Sequence, residues 1–268
     1  MSRFSIVNSL VQAMEKFLSA DENKLELVDF LVQMWGSSRY AERLYGVLYG
    51  VQLFVCHRQL CSLLTSEDAS TVLVSSVPAL TSDHEEADSR IFLHAKHASN
   101  GGFACVVISS PDTDVAVIGI HHANAINASL LWLTGTKVQR CCINLTEIAV
   151  NLGEDMSAVL PGIHAFSGCD TTSAFVGKGK TKIFRLASQS DCLRLAMTRL
   201  GCSLTPTEEL FTECEKFVCH LYGLPTCISV NEVRYKLFRT KCLKAQQMPP
   251  TQDALRQHVL WVNYQSFV

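Results

Sequence analysis

The sequence predicts an α/β region followed by an all-helical region. Three observations carry this. Short β-branched runs alternate with segments of helical period between residues 50 and 166. The run Ala104–Ser110 is apolar throughout, the type found inside a parallel sheet. After Asp170 the strand signal fades, and the charge changes sign at the same place. Residues 1–170 hold 10 basic and 18 acidic side chains, net −8, and residues 171–268 hold 13 and 7, net +6. The whole-chain value of −2 averages these two, and such asymmetry is a cue for separate electrostatic roles.

The elements follow in order. Val7, Leu10, Val11 and Met14 recur at helical spacing, as do the apolar residues of Leu25–Met34, so 5–35 reads as helical with Asp21 as a cap. Leu-Tyr-Gly-Val occurs twice over 44–51, too short a unit for a solenoid. Gln52–His57 and Thr71–Val77 read as strands. A helix starting near Glu85 places Ala87, Ile91, His94, Ala95 and Ala98 on one face and ends at Asn100-Gly101-Gly102. Ala116–Ala125 reads as a helix or an extended continuation. Ser129–Leu133 and Lys137–Ile143 flank Thr-Gly-Thr as a hairpin. Thr146–Leu152 and Met156–Phe166 are short helices, and Ile183–Leu200, Pro206–Leu221, Val230–Leu243 and Thr251–Tyr264 are longer ones. Pro249-Pro250-Thr251 is a start signal for the last. The expected organisation is N-terminal helices and first strands over 1–80, an α/β core over 81–170, and a helical hairpin and helical region over 171–268.

At 48% hydrophobic residues the chain can build a core and is not a disordered one. Met1–Ala20 includes Arg3, Glu15 and Lys16 and lacks the apolar stretch of a signal peptide. The longest apolar stretch, Leu44–Val55, is too short to span a bilayer. The expectation is an intracellular protein of nucleus or cytoplasm, without a membrane partner and with thiols reduced. No Cys-x-x-Cys pair occurs among the 12 cysteines, so they read as small apolar residues rather than zinc ligands.

Three acidic clusters stand out. His84-Glu85-Glu86-Ala87-Asp88 opens a helix, Asp112-Thr113-Asp114 follows the apolar strand, and Asp170 lies in Ser167-Gly168-Cys169-Asp170. Singly, each is explained by helix caps or turns. Together they lie where functional residues of an open α/β sheet collect, beyond the strands' carboxyl ends. Asp112 and Asp114, two apart in extended chain, point to the same side. Converging carboxylates need cations between them, and hard divalent ions prefer oxygen ligands.

In order and context the clusters resemble the flap-endonuclease branch of the PIN-like nucleases. Glu86-Ala87-Asp88 matches that branch's acidic-Ala-acidic motif at a helix start. Val106-Val107-Ile108-Ser109-Ser110-Pro111-Asp112-Thr113-Asp114 matches its strand followed by Asp-x-Asp. Gly168-Cys169-Asp170-Thr171-Thr172-Ser173, then Gly177-Lys178-Gly179-Lys180, matches its Gly-x-Asp segment opening a helical hairpin with glycines and lysines. The match is best over about residues 82–186. From Phe17 on, the chain also looks like a group of multi-copy animal proteins sharing His84-Glu85-Glu86-Ala87-Asp88-Ser89-Arg90, His164-Ala165-Phe166-Ser167-Gly168-Cys169-Asp170 and the Pro249-Pro250-Thr251 segment.

The resemblance implies a mostly parallel PIN-like sheet flanked by helices. It implies phosphodiester hydrolysis of DNA or RNA with Mg²⁺ or Mn²⁺, two ions activating a water and stabilising the leaving oxygen. Glu86, Asp88, Asp112, Asp114 and Asp170 become direct or water-mediated ligands. Asp88 stands where glutamate is usual and reaches about one methylene less, so its contact passes through water. The family's first strand, with a further Asp, has no match here. Glu67 and Asp68 fall in the interval of the next acidic position in a loop-like context, and that role is not carried over. The chain is then either a partial product or a degenerate member with an impaired site.

Lys178, Lys180, Lys182 and Arg185 surround glycines whose backbone can approach a phosphate, and they are the expected nucleic-acid contacts. They do not form a nucleotide loop: five residues before Gly179-Lys180-Thr181 stands Ala174, where that motif needs glycine. His94 reads as a core histidine, His121 and His122 cannot share one site on a regular helix, and His164 could support Asp170 from behind. Ser167, Ser173 and the cysteines have no triad partner at a diagnostic spacing. The rival to a nuclease is a catalytically inactive relative that binds nucleic acid or protein. A third reading is a structural remnant of a mobile-element gene.

Overall fold

The computed structural model describes residues 16–83, 87–136, 138–241 and 245–267. The chain divides into two compact units, 1–85 and 86–268. The expected helix over Val7–Met14 and the residues His84, Glu85 and Glu86 lie outside the described residues.

The first unit places α1 (Asp21–Trp35) and α2 (Ser38–Leu48) before a meander of β1 (Leu53–His57), β2 (Leu60–Asp68) and β3 (Thr71–Ser76). Asp21 is the first residue of α1 rather than its cap. The cap position is Ala20, and Asp21 and Glu22 instead meet the positive end of the helix dipole. β2 is the central strand, antiparallel to both neighbours, with Cys56 opposite Cys61 and Leu64 opposite Val74. It was not expected. Adjacent Leu63-Leu64 breaks the two-residue alternation, and its acidic end reads as loop. Glu67 and Asp68 are therefore the end of a strand, not part of a loop. Ala41 and Leu48 of α2 pack on Leu64 and Val72 to make this unit's core.

The second unit is α/β. α3 (Ala87–Asn100) precedes β4 (Cys105–Ser109), and α4 (Thr113–His122) crosses to β5 (Ser129–Gly135). β4 and β5 are parallel, with Ile108 opposite Trp132. β6 (Arg140–Asn144) returns antiparallel to β5. The sheet order is β4-β5-β6, so one of its two pairings is parallel. The expected mostly parallel sheet is present only as that pair, because β6 folds straight back on β5 as a hairpin, with Gly135 opposite Arg140. β4 is an edge strand with Val107 56% exposed, although its composition suited a buried one. Phe92, Ile108, Val115, Leu130 and Leu145 form the core between this sheet and its helices.

α5 (Leu145–Leu152), α6 (Glu154–Ala158) and α7 (Leu160–Ser167) lead into the helical region of α8 (Lys180–Gln189), α9 (Asp191–Arg199), α10 (Glu208–Leu221), α11 (Val230–Lys241) and α12 (Gln252–Phe267). The helix expected over 183–200 is broken at Ser190, whose extended backbone and Oγ, accepting from Leu193 N–H, cap α9. A second core joins Ile163 and Phe166 of α7 to Ile183, Met197, Phe217 and Val259. α7 approaches α9 closely because Gly162 has no side chain; a Cβ there would stand 2.3 Å from the Met197 carbonyl oxygen. No described helix is long and apolar enough to cross a membrane.

Candidate functional site

β4 ends at Ser109, and the chain turns through Ser110-Pro111 into α4. Asp112 is the cap of α4, its Oδ1 accepting from Asp114 N–H at 2.9 Å. Its own N–H donates to Ser110 Oγ at 3.1 Å. The two aspartates therefore do not share one side of an extended chain. The cap geometry turns the backbone helical at Thr113, and Asp114 lies in the first turn.

α7 packs against α4 and brings His164 to Asp114. Nε2 stands 3.1 Å from Asp114 Oδ1, with the two side chains 13% and 34% exposed. The oxygen lies outside hydrogen-bond geometry, so this buried Nε2 has no aligned partner. An imidazole nitrogen and a carboxylate oxygen thus face one another just beyond the parallel strand pair. Fifty residues separate them in sequence. The sequence allowed His164 a supporting role toward Asp170 without demanding one; its contact is with the second acidic cluster.

Asp170 is exposed, three residues past α7, in a tightly tied loop. Gly168 turns the chain at a φ of +104°, where a Cβ would stand 2.6 Å from that of Ala174. Thr172 Oγ1 accepts from Cys169 N–H at 3.0 Å and donates to the Ala165 carbonyl at 2.7 Å. Thr171 Oγ1 donates to Gln265 Oε1 at 2.6 Å. Ser173 Oγ is 2.9 Å from His258 Nδ1, and His258 Nε2 is 3.1 Å from the Phe166 carbonyl. The sequence left Ser173 without a partner, because His258 is 85 positions away on the last helix.

Asp88 lies half-buried in the first turn of α3, and Glu86 is outside the described residues. Among the described residues, Asp88, Asp112, Asp114, His164 and Asp170 contain no three whose ligand atoms all lie within 4.8 Å of one another. Asp112 and Asp114 share the turn into α4, and His164 of α7 meets Asp114 there. Asp88 and Asp170 are not brought into that contact.

The basic residues lie on the loop and helix after α7. Lys180, Lys182 and Arg185 are exposed on α8, opposite its buried Ile183 and Ala187, and no acidic residue lies in its first turn. The Lys178 ammonium sits 4.8 Å above the Tyr222 ring, a cation–π contact.

The other singled-out groups take structural places. Cys214, Cys219 and Cys227 are buried in the helical core. Burial pushes the Cys214 thiol far up, and burial with the nearby Glu215 carboxylate pushes Cys219 up to about 11, so both are neutral packing groups. His121 and His122 rings meet edge-on at 4.8 Å. Burial, with His121 beside it, lowers the pKa of His122. Burial, with His97 and Arg90 nearby, also lowers that of His94, which is half-buried and not part of the core.

No protein-family model, no curated protein and no solved structure matches the chain.

Proposed function

We propose that the second unit carries a PIN-like site for metal-dependent hydrolysis of phosphodiester bonds in DNA or RNA. The observation that carries the reading is the approach of Asp114 Oδ1 to His164 Nε2, 3.1 Å apart, just beyond the carboxyl end of the parallel strand β4. In open α/β sheets that end is where ligands bind. Asp112 stands at the same turn, and Asp170 follows His164 by six residues on a pinned loop.

The donor set fits a divalent ion. Asp114 offers a hard oxygen, and His164 offers a buried nitrogen with no aligned hydrogen-bond partner. A nitrogen ligand favours a transition ion, so of the two expected ions Mn²⁺ suits this pair better than Mg²⁺. Such an ion, when bound, makes a nucleophile of water near neutral pH and stabilises charge on the leaving oxygen. Asp114 and His164 would hold the ion, with the Asp112 carboxylate at the same turn; the remaining expected carboxylates, Glu86, Asp88 and Asp170, enter only through the resemblance. Lys180, Lys182 and Arg185 attract the phosphate backbone without regard to base sequence.

The test is cleavage of labelled single-stranded and branched DNA and RNA with Mn²⁺ or Mg²⁺. Cleavage is expected with Mn²⁺, and Asp114→Asn should abolish it while salt-sensitive binding is retained. His164→Gln should reduce the Mn²⁺ rate more than the Mg²⁺ rate. Binding that ignores a chelator, with no cleavage under either ion, would replace this reading with an inactive binding module. Absence of salt-sensitive binding would remove nucleic acid as the partner.

A further inference from the structure

The first unit holds a line of serine, histidine and aspartate that nuclease chemistry does not use. His57 ends β1 and Ser62 lies on β2. Because His57 pairs with Leu60 and Val55 with Ser62, the two are diagonal neighbours on one face of the hairpin. His57 Nε2 is 3.0 Å from Ser62 Oγ. The other ring nitrogen, Nδ1, is 2.7 Å from Asp29 Oδ1 on α1. Asp29 is held in turn by Arg58, whose Nε donates to Oδ2 at 3.1 Å while Nη2 donates to Glu22 at 3.0 Å.

The charge on Asp29 sets the tautomer of the ring. Burial opposes ionisation of Asp29, but hydrogen bonds from Arg58 and His57 outweigh it and hold the carboxyl below its ordinary range. An ionised carboxylate only accepts, so the proton is on Nδ1. When the ring is neutral, Nε2 carries the lone pair and the Ser62 hydroxyl donates to it. That is the arrangement in which imidazole takes a proton from a hydroxyl nucleophile. Arg58 is a second sign. It is the first of two turn residues between β1 and β2 and sits at a φ of +51°, where such turns favour glycine. Strain of this kind persists where surrounding contacts over-determine the residue, and here they are the two carboxylates.

We propose that Ser62 is a nucleophile toward activated esters of small apolar acyl groups, with His57 as its base and Asp29 as the carboxylate orienting that base. The Ser62 oxygen bonds to the acyl carbon and its proton passes to His57 Nε2. The ester C–O bond breaks, and the leaving oxygen takes that proton and departs as the alcohol. Water then attacks the acyl carbon, giving a proton to Nε2. The Ser62 oxygen leaves with it, releasing a carboxylic acid. The acyl preference follows from Leu60, which lies opposite His57 on the same face and is 50% exposed. Ser62 is on the central strand, opposite Val55 and Ser76, so its own amide belongs to the sheet and not to an oxyanion. Lacking one such donor costs roughly 10²–10³ in rate in both steps; with an activated ester acylation still outruns hydrolysis, because its leaving group departs more readily than the Ser62 alkoxide.

The experiment incubates the full chain with a fluorophosphonate probe, and separately with p-nitrophenyl acetate, and maps adducts by peptide mass spectrometry. The expected result is an adduct on Ser62 and a burst of about one equivalent of nitrophenol. Ser62→Ala should remove both, and His57→Gln should slow the burst by roughly 100-fold or more, as loss of a general base does. A folded wild-type chain with no Ser62 adduct overturns the proposal, as does a wild-type burst in Ser62→Ala. If His57→Gln fails to fold, the wild-type adduct map decides alone.

Discussion

His258 Nδ1 accepts a hydrogen bond from Ser173 Oγ at 2.9 Å, joining the last helix to the loop that carries Asp170. The opposite nitrogen, Nε2, donates to the Phe166 carbonyl at 3.1 Å, which fixes the neutral tautomer. Phe166 and Phe175 enclose the ring, with centroids 5.3 and 4.9 Å away. Burial depresses the pKa of His258, partly offset by the bond to Phe166.

That depression gives a pH dependence with a definite sign. The unfolded chain binds a proton at His258 near the ordinary value of about 6.5, whereas the folded chain resists it. Stability is therefore full above pH 6.5 and falls as pH drops below it, by at most about 1.4 kcal/mol per pH unit for one proton. His94 and His122 act in the same direction. Urea unfolding between pH 5 and 8 should show the decline, and His258→Gln should flatten it.

Gly168→Ala should destabilise the protein by about 2–3 kcal/mol. The backbone there has a φ of +104°, and the added Cβ meets Ala174 Cα at 2.9 Å as well as its Cβ. The same substitution at Gly179, where nothing lies within 4 Å, should be close to neutral. Denaturant midpoints of the two variants make the comparison.

Asn263 is 1% exposed and satisfies three backbone groups. Its Oδ1 accepts from Gly201 N–H at 3.0 Å, and its Nδ2 donates to the carbonyls of Ser203 at 2.7 Å and Leu204 at 3.3 Å. Asn263→Ala strands these groups and should cost about 2–4 kcal/mol, measured by urea unfolding. Asn263→Asp keeps the acceptor but loses both donors, so it should not restore stability.

Thiol reactivity should sort by environment. Cys105, Cys141, Cys142, Cys192 and Cys202 are exposed and should alkylate in the folded protein, whereas Cys214, Cys219 and Cys227 are buried and should not. Cys169 is half-buried, which raises its pKa, but contacts with Thr171 and Thr172, their backbone amides included, outweigh this and lower it. It should therefore react faster than its half-buried position alone would allow. Timed iodoacetamide labelling read by mass spectrometry separates the groups.

Local chemistry made much of the second unit legible. Asn100-Gly101-Gly102 stops α3, and Pro249-Pro250-Thr251 starts α12 with Thr251 Oγ1 accepting from Ala254 N–H; the β5–β6 hairpin forms as expected, but Thr134 and Gly135 are paired strand residues and the chain reverses just after them. β2 was hidden because its adjacent leucines break alternation, and the break at Ser190 because capping overrode a continuous apolar period. The site was legible as residue types and order. Which groups touch was not, since Asp114 meets His164 only through the packing of α4 on α7, and Ser173 meets His258 across 85 positions.

The outer position of β4 has a colloidal consequence. Among the described residues its ladder partner is β5 alone, its five residues carry no charge, and Val107 is 56% exposed. An uncharged, apolar, open strand edge is a template on which another extended segment can add. Concentrated preparations should scatter light before they lose secondary structure, and Val107→Lys, a gatekeeper charge, should raise the concentration at which that begins.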